Sequence, residues 1–402
     1  MVIESEPTRR TAMAVPSFRR LWAAGLVSDA GDWLLFIALP VIVLQLSGSA
    51  LGTAFAFLLE LAPAVVLAPV AARVAARFDR RMVMVAVNIG QAVALLPLLL
   101  VDSVEHLPIL FAVIAVHASL ATLFEPAKNS LLPELVPADA LVSANALVGL
   151  NQNLGRLIGG PLGGVLLVVG GLDLIVAVDV ATYIVSAALI FLVRSPVRLL
   201  DEPGAVTGVW AALRIRPLRA VFVMILLASV AQGLFQVLFV LFVVGPLSGN
   251  EGEVGLLRGV QAVGAIAAGL ALGFLFHRVD ARGMAVASTL VFGVLSLAIW
   301  NLRFVTTETC VFTVLFAIVG APGVVMVTAF VSTLQAESTP GQRAPVFAAM
   351  GVVMAVGQAI GLLLGGLVDA GVPLLVLLQL QGALYLVAAL VGSRWMRRAP
   401  AA

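Results

Sequence analysis

Six ionisable residues stand where almost everything around them is apolar: Asp29, Asp32, Glu60, His117, Arg156 and Asp179. An ionised group at the centre of a bilayer is costly unless it is paired or hydrated, so such residues mark ion or substrate pathways. Asp29, Asp32, Trp33 and Phe36 follow the i, i+3, i+4, i+7 spacing of one helix face, which mixes two carboxylates with aromatic surface. At a rise of about 1.5 Å per residue, Asp32 lies about 18 Å along its segment and Glu60 about 15 Å along the next, both near mid-depth. A carboxyl taken out of water beside a like charge holds its proton more readily than a free one, which is the chemistry of proton exchange across a membrane. Asp32 and Glu60 are the expected proton carriers, tuned by Asp29 and Arg156. Arg156 is expected to face one of the acids, either as a tuning partner or in a permanent structural pair. His117 is either a proton relay or a hydrogen-bonded packing residue, packing being favoured. Asp179 is expected to be shallower and peripheral.

The second half of the chain offers amides and rings instead of acids. Gln232, Phe235, Gln236 and Phe239 make one helical stripe, with Gln261, Asn301 and Gln358 as isolated polar positions. Together with Trp33, Phe36 and His117 they outline a cavity suited to an amphipathic organic molecule, cationic or neutral. Each amide taken singly fits equally well as hydrogen-bonding glue between helices. A further cluster is glycine: Gly155, Gly159, Gly160, Gly163 and Gly164 recur around Pro161 in NQNLGRLIGGPLGG. In water each would destabilise a helix by about 1 kcal/mol, whereas between membrane helices such a bare face permits close approach. The stretch is either a tight contact or a surface on which helices slide and bend.

The elements that carry these residues follow from composition. Of 402 residues 62% are hydrophobic and 11% charged, whereas soluble domains are roughly a quarter charged. The chain reads as an all-α integral membrane protein. Apolar stretches lie near 20–46, 50–73, 82–101, 107–128, 141–169, 172–193, 218–244, 254–276, 284–302, 309–333, 344–368 and 373–393, each about the 20 residues a crossing needs. Of the 23 basic residues only Arg156, Arg258 and Arg303 fall outside the termini and the even-numbered loops. That bias predicts both termini on the cytoplasmic side of a cell membrane. Residues 1–17 lack an apolar core, so no cleaved signal peptide is expected.

Other function classes are excluded by single residues. The sole lysine, Lys128, lies in EPAKN and not in a Gly-Lys-Ser/Thr loop, so any transport is driven by a gradient and not by ATP bound in that way. The sole cysteine, Cys310, excludes an internal disulfide and a thiolate metal cluster. No cofactor, metal, catalysis or nucleic-acid partner is expected, and the net charge of +2 reflects topology.

The halves repeat. ARFDRR from Ala76 matches HRVDAR from His277 at an offset of 201, and Pro137 matches Pro340 at 203. The expected organisation is a bundle over 1–193, a linker over 194–217 and a second bundle over 218–402. Parallel halves of this kind are the arrangement expected of carriers that handle substrate between their bundles. The linker, with Trp210 and Leu213, is either a tether or a helix on the membrane surface, a tether being favoured. The repeated loop carries Arg77, Asp79, Arg80 and Arg81 in the first copy and Arg278, Asp280 and Arg282 in the second.

These motifs together resemble the major facilitator superfamily. The order Gly155, Gly159, Pro161, Gly164 is similar to the fifth-helix antiporter motif of its exporters. ARVAARFDRR is similar to its cytoplasmic motif, with Ala72 in place of a Gly and Ala76 in place of an Asp. FRRLWAAGLVSDAGDWLLFIALP and EPAKNSLLPELVPADALVSANAL look like the twelve-helix drug and proton antiporter branch that holds macrolide, tetracycline-like and siderophore exporters. The resemblance covers nearly the whole chain. It implies two six-helix bundles and proton-driven export of amphipathic small molecules such as antibiotics by alternating access, in a monomer within the lipid bilayer. Siderophore or lipid export on the same fold, and a non-transporting sensor or assembly partner, are the alternatives. In the family the missing Asp helps to close the cytoplasmic side. Either Asp79 supplies that charge or the arginines only enforce topology, and a cytoplasm-open state is expected to be the more populated.

Overall fold

A computed structural model describes residues 12–137, 140–194, 212–215, 218–275, 280–339 and 342–398. Among them there is no strand. The expected segments are helices: α1 Pro16–Ser47, α2 Ala50–Val66, α3 Ala68–Arg77, α4 Arg80–Leu95, α5 Leu107–Leu135 and α6 Leu141–Phe191, followed by α7 Arg219–Val244, α8 Glu251–Leu275, α9 Ala281–Leu302, α10 Thr309–Glu337, α11 Arg343–Gly365 and α12 Leu374–Arg398. Most of the linker, Trp210 included, and Arg278 of the second copy of the repeated loop lie outside the described residues.

Two helices depart from the apolar ruler. The second crossing is α2 and α3 together, bent by 49°. Pro69, in the first turn of α3, has no N–H to continue the ladder of α2. The fifth and sixth crossings run on as α6, 51 residues long. At about 1.5 Å per residue that is more than twice the roughly 30 Å hydrocarbon core. They part at Gly171, whose φ of 62° and ψ of −158° leave helical space, a region open essentially to glycine alone. Among the described residues ten helices are long and apolar enough to cross as they stand. Counting the bent pair as one crossing and α6 as two, parted at Gly171, matches the twelve expected stretches.

Burial follows the amphipathic logic of a membrane bundle. α1 packs along α6, while α7 lies between α11 and α12. Phe235, Phe242, Trp300, Phe312 and Phe316 pack together within a second group of helices, α7–α12, that follows a first group, α1–α6. Phe18, Met84, Leu131 and Ile190 fill one end of the first. Leu100, Val169 and Val294 stay bare on the outside, as apolar side chains do where the solvent is lipid.

The two groups touch at the end of the molecule away from the chain termini, where α6 meets α8 and α2 meets α11. Between described residues, every side-chain hydrogen bond joining the groups lies there. Gln45 donates to Glu251, and Ser49, Ala50 and Leu51 donate to Asp369.

Candidate functional site

A cavity of about 510 Å³ opens within the first group, between α1, α2 and α5. Asp32, Glu60 and His117 line it, with Phe36 and Phe57 on its wall and Glu125 at the end nearer the termini. Tyr183, fully buried on α6, donates its hydroxyl to Asp32 Oδ1. His117 Nε2 lies 2.5 Å from the same hydroxyl, and Gln91 Nε2 lies 3.2 Å from His117 Nε2. Asp32, Tyr183 and His117 thus form one hydrogen-bonded path from three helices. Asp179 is 0% exposed, against the expectation of a peripheral position. It accepts from Thr182 at 2.9 Å and fills the notch left by Gly31, where a Cβ would sit 2.1 Å from its Oδ1. Its Oδ2 has no partner among the described residues. Asp29 lies against Gly155, where a Cβ would come within 2.7 Å of the Asp29 Cβ.

A second cavity, of about 410 Å³, lies between the two groups of helices. Gln232, Gln261 and Gln358 line it, together with Arg156 of α6 and Arg258 of α8. The residues expected around one cavity are therefore divided. Phe36 and His117 face the first and Gln232 the second, while Phe36, Gln236 and Phe239 pinch the crevice between them. Trp33 meets Phe36 at a tilt of 59° with ring centroids 4.7 Å apart, and Phe235 lies within the aromatic core. Gln358 donates to Gln236 at 3.2 Å, so these two amides also act as glue. Arg156 lies over Trp33 and donates to Asn153 at 3.3 Å. The ion pairs among described residues lie elsewhere, so neither Asp32 nor Glu60 is its partner.

The glycine face divides as well. Gly155, Gly159 and Gly163 press on α1, a Cβ at Gly159 reaching 2.2 Å from the Ala30 carbonyl. Gly160 and Gly164 press on α8 at Gly252, Gly255 and Gly259, and a Cβ at Gly259 would sit 2.4 Å from Cδ of Pro161. Glycine therefore meets glycine across the seam between the groups. Among the described residues no group of His, Cys, Asp and Glu converges to hold a metal ion.

Comparison with known proteins places this architecture. The family model of the Major Facilitator Superfamily matches residues 21–249. The chain belongs to that superfamily. The carrier is 25% identical over 361 residues to macrolide efflux protein A of Streptococcus pyogenes, covering 87% of this chain and 88% of that protein. It is 29% identical over 186 residues to the uncharacterized MFS-type transporter YfiS of Bacillus subtilis (strain 168), an alignment spanning 44% of each. In fold it matches a bacterial homologue of the iron transporter ferroportin in its inward-facing state, with TM-score 0.76, 19% identity and coverage of 95% of this chain and 99% of that one. A bacterial homologue of the human lysosomal transporter Spinster, inward-facing and occupied, gives 0.72, 15%, 96% and 98%. The carrier is thus a multi-pass membrane transporter of small molecules and not an enzyme.

Asp79, Arg80, Arg81, Asp280 and Arg282 of the loop motif each make contacts within their own group of helices. Asp79 caps α4, accepting from the Met82 N–H at 3.2 Å. Asp280 caps α9, accepting from Gly283 at 2.9 Å. Arg80 is buried and pairs with Glu134 on α5. Arg282 pairs with Glu337 on α10 through Nε at 2.8 Å and lies over Trp395. Arg81 donates to the Val193 carbonyl at 3.1 Å, and Arg77 is exposed.

Several site residues escaped the sequence reading: Tyr183, Glu125, Asp369 and Gly252, Gly255 and Gly259 of α8. Tyr183 had a signal, being one of two tyrosines in the chain and four residues beyond Asp179. Glu125 stands inside the fourth apolar stretch and could have been counted with the other acids.

Proposed function

We propose that the carrier exports amphipathic small organic molecules in exchange for protons. The observation that carries this reading is the path Asp32–Tyr183–His117 on a cavity shared with Glu60, where no cation lies within ion-pair distance of either acid among the described residues. A carboxylate with a permanent ion-pair partner is held in one protonation state, whereas these acids are free to take and release a proton as their access to water changes. Moving one charge through 100 mV is worth about 2.3 kcal/mol, enough for one proton per cycle to do useful work. Likeness to macrolide efflux protein A supports export as the direction and drugs as the substrate class.

In this scheme residues 1–193 and 218–402 rock as two bundles about the central site, tied by 194–217. Both termini lie in the cytoplasm, the protein sits as a monomer in the cell membrane, and the contacts at Asp369 and Glu251 close the outer side. Asp32 and Glu60 carry the proton, Tyr183 and His117 relay it, and Asp29 sets the local charge. The glycines of α6 and α8 keep the seam tight while the bundles move. The test is efflux of ethidium or erythromycin from cells, comparing the native carrier with Asp32→Asn, Glu60→Gln and the double variant, with and without a protonophore. At equal expression the double variant should lose protonophore-sensitive efflux. Unchanged efflux in that variant refutes the coupling assignment.

A further inference from the structure

The cavity between the groups holds more positive charge than proton exchange uses. Arg258 is 6% exposed and lies over Phe235, Phe36 and Phe239 at 4.7, 5.4 and 5.8 Å. None of the hydrogen bonds or ion pairs between described residues involves its side chain. Arg156 makes a single hydrogen bond among the described residues, to Asn153, and its Nε is buried without an acceptor. Gln261 turns a second unmatched donor inward, its Nε2 buried and unbonded. Among the groups that reach Arg258, Arg156 repels it, whereas Glu60, in the neighbouring cavity beyond ion-pair distance, and Tyr385 favour its charge. Two guanidiniums of like charge, one from each group of helices, therefore border one apolar-walled cavity with no carboxylate on its lining.

A buried guanidinium left unpaired is strongly unfavourable. Aromatic faces offset part of that penalty, water in the open cavity meets more of it, and an anion meets the rest best. Guanidinium presents a planar fork of N–H donors that fits a carboxylate, sulfonate or phosphate in a bidentate way. The wall beyond is Phe292, Met326, Met350 and Met354, and methionine adapts to irregular apolar shapes.

We propose that this cavity is an anion subsite, in which Arg156 and Arg258 together hold the carboxylate, sulfonate or phosphate group of an amphipathic substrate whose apolar body rests on the methionine wall. This adds anionic amphipaths to the substrates of the carrier and rests on the transport reading only for what the bound molecule is moved for. Because Arg156 stands on α6 and Arg258 on α8, the bound group spans the glycine seam and cancels the repulsion between the two. It leaves when the seam parts.

The test is equilibrium binding to the purified full-length carrier in detergent, read as energy transfer from tryptophan to a dansyl group, Trp33 lying beside Arg156. Three probes of similar size are compared: dansylglycine, dansylglycinamide and dansylcadaverine, which are anionic, neutral and cationic. The native protein should bind the acid about tenfold or more tightly than the amide, as expected for one charge-assisted contact, and the amine most weakly. Arg258→Gln and Arg156→Gln should each remove that preference while leaving amide affinity within about twofold, which also reports that the fold is intact, and Arg258→Lys should retain part of it. Competition by phosphatidylglycerol but not phosphatidylcholine would identify the anion as a lipid headgroup, and indifference to both a free organic acid. Equal affinity of the native protein for acid and amide, or an undiminished preference in Arg258→Gln, overturns the proposal. No proton gradient enters this measurement, so it fails or succeeds independently of the efflux test.

Discussion

Asp369 offers the sharpest handle on the closed end. It follows α11, and its carboxylate accepts from Ser49 Oγ at 2.6 Å, the Leu51 N–H at 2.8 Å and the Ala50 N–H at 2.9 Å. One group of helices therefore caps the N-terminus of a helix in the other. A hydrogen bond to a charged group contributes about 1.5–3 kcal/mol when sheltered, but Asp369 is largely exposed, so the worth of an ordinary cap, about 1 kcal/mol, is the better measure. Asp369→Ala should then shift the balance between closed and open outer ends by about fivefold. Burial, the largest single influence, pushes the Asp369 carboxyl up, but the bonds from Ser49, Leu51 and Ala50 together outweigh it and hold the group below its ordinary value of 3.8. A carboxyl held low in the closed state adds to closure above its ordinary range and loses that contribution as pH falls through the lowered value. Closure should be flat in pH near neutrality and weaken below pH 3.8. Spin labels at exposed Val104 and Val305, in a Cys310→Ser background, report the outer separation by double electron–electron resonance. Glu251 and Glu253 carry charge at the same end, so Asp369→Asn is the reference in which the acid response attributable to Asp369 should be absent. An unshifted distance distribution in Asp369→Ala, or an acid response retained in full by Asp369→Asn, refutes this account.

Two further outcomes are expected. Tyr183→Phe removes the hydroxyl shared by Asp32 and His117; protonophore-sensitive efflux should fall about tenfold or more and its pH profile should move, by the worth of one charged hydrogen bond, and a profile superimposable on the native one would exclude the relay. Gly255→Val places a Cβ 2.3 Å from the Gly160 carbonyl, an overpacking worth about 1–3 kcal/mol against the closed seam. Efflux should collapse at normal expression, whereas Gly149→Ala, which meets nothing within 4 Å, should not change it, and equal efflux from both variants contradicts the seam.

The sequence made much of the fold legible because membrane helices are specified locally. A run of about 20 apolar residues has one stable form in lipid, so the crossings could be read off the chain, as could the carboxylates standing within them. The bent second crossing and the continuous α6 were less legible. Proline and glycine punctuate both, but whether a helix bends, breaks or runs on depends on what lies beside it. Arg156 shows the limit at the candidate site. Its depth identified it as expensive, yet the acid expected to face it does not, because the rotation of α6 turns its side chain towards α8 and the second cavity.

By itself, then, the sequence determined which residues are out of place in lipid, that the loop motif recurs at an offset of 201, and which glycines leave a helix face bare. Those properties depend on residues near one another along the chain, with the 3.6-residue period as the only geometry needed. The tertiary structure alone decided the pairings. Asp32 meets Tyr183 across 151 positions and Tyr183 meets His117 across 66, while Asp369 reaches Ser49 across 320. Such partners are chosen by the azimuth and crossing angle at which helices pack. No local period encodes those, so two cavities of opposite charge, one acidic within the first group of helices and one cationic between the groups, emerge only when the helices are placed side by side.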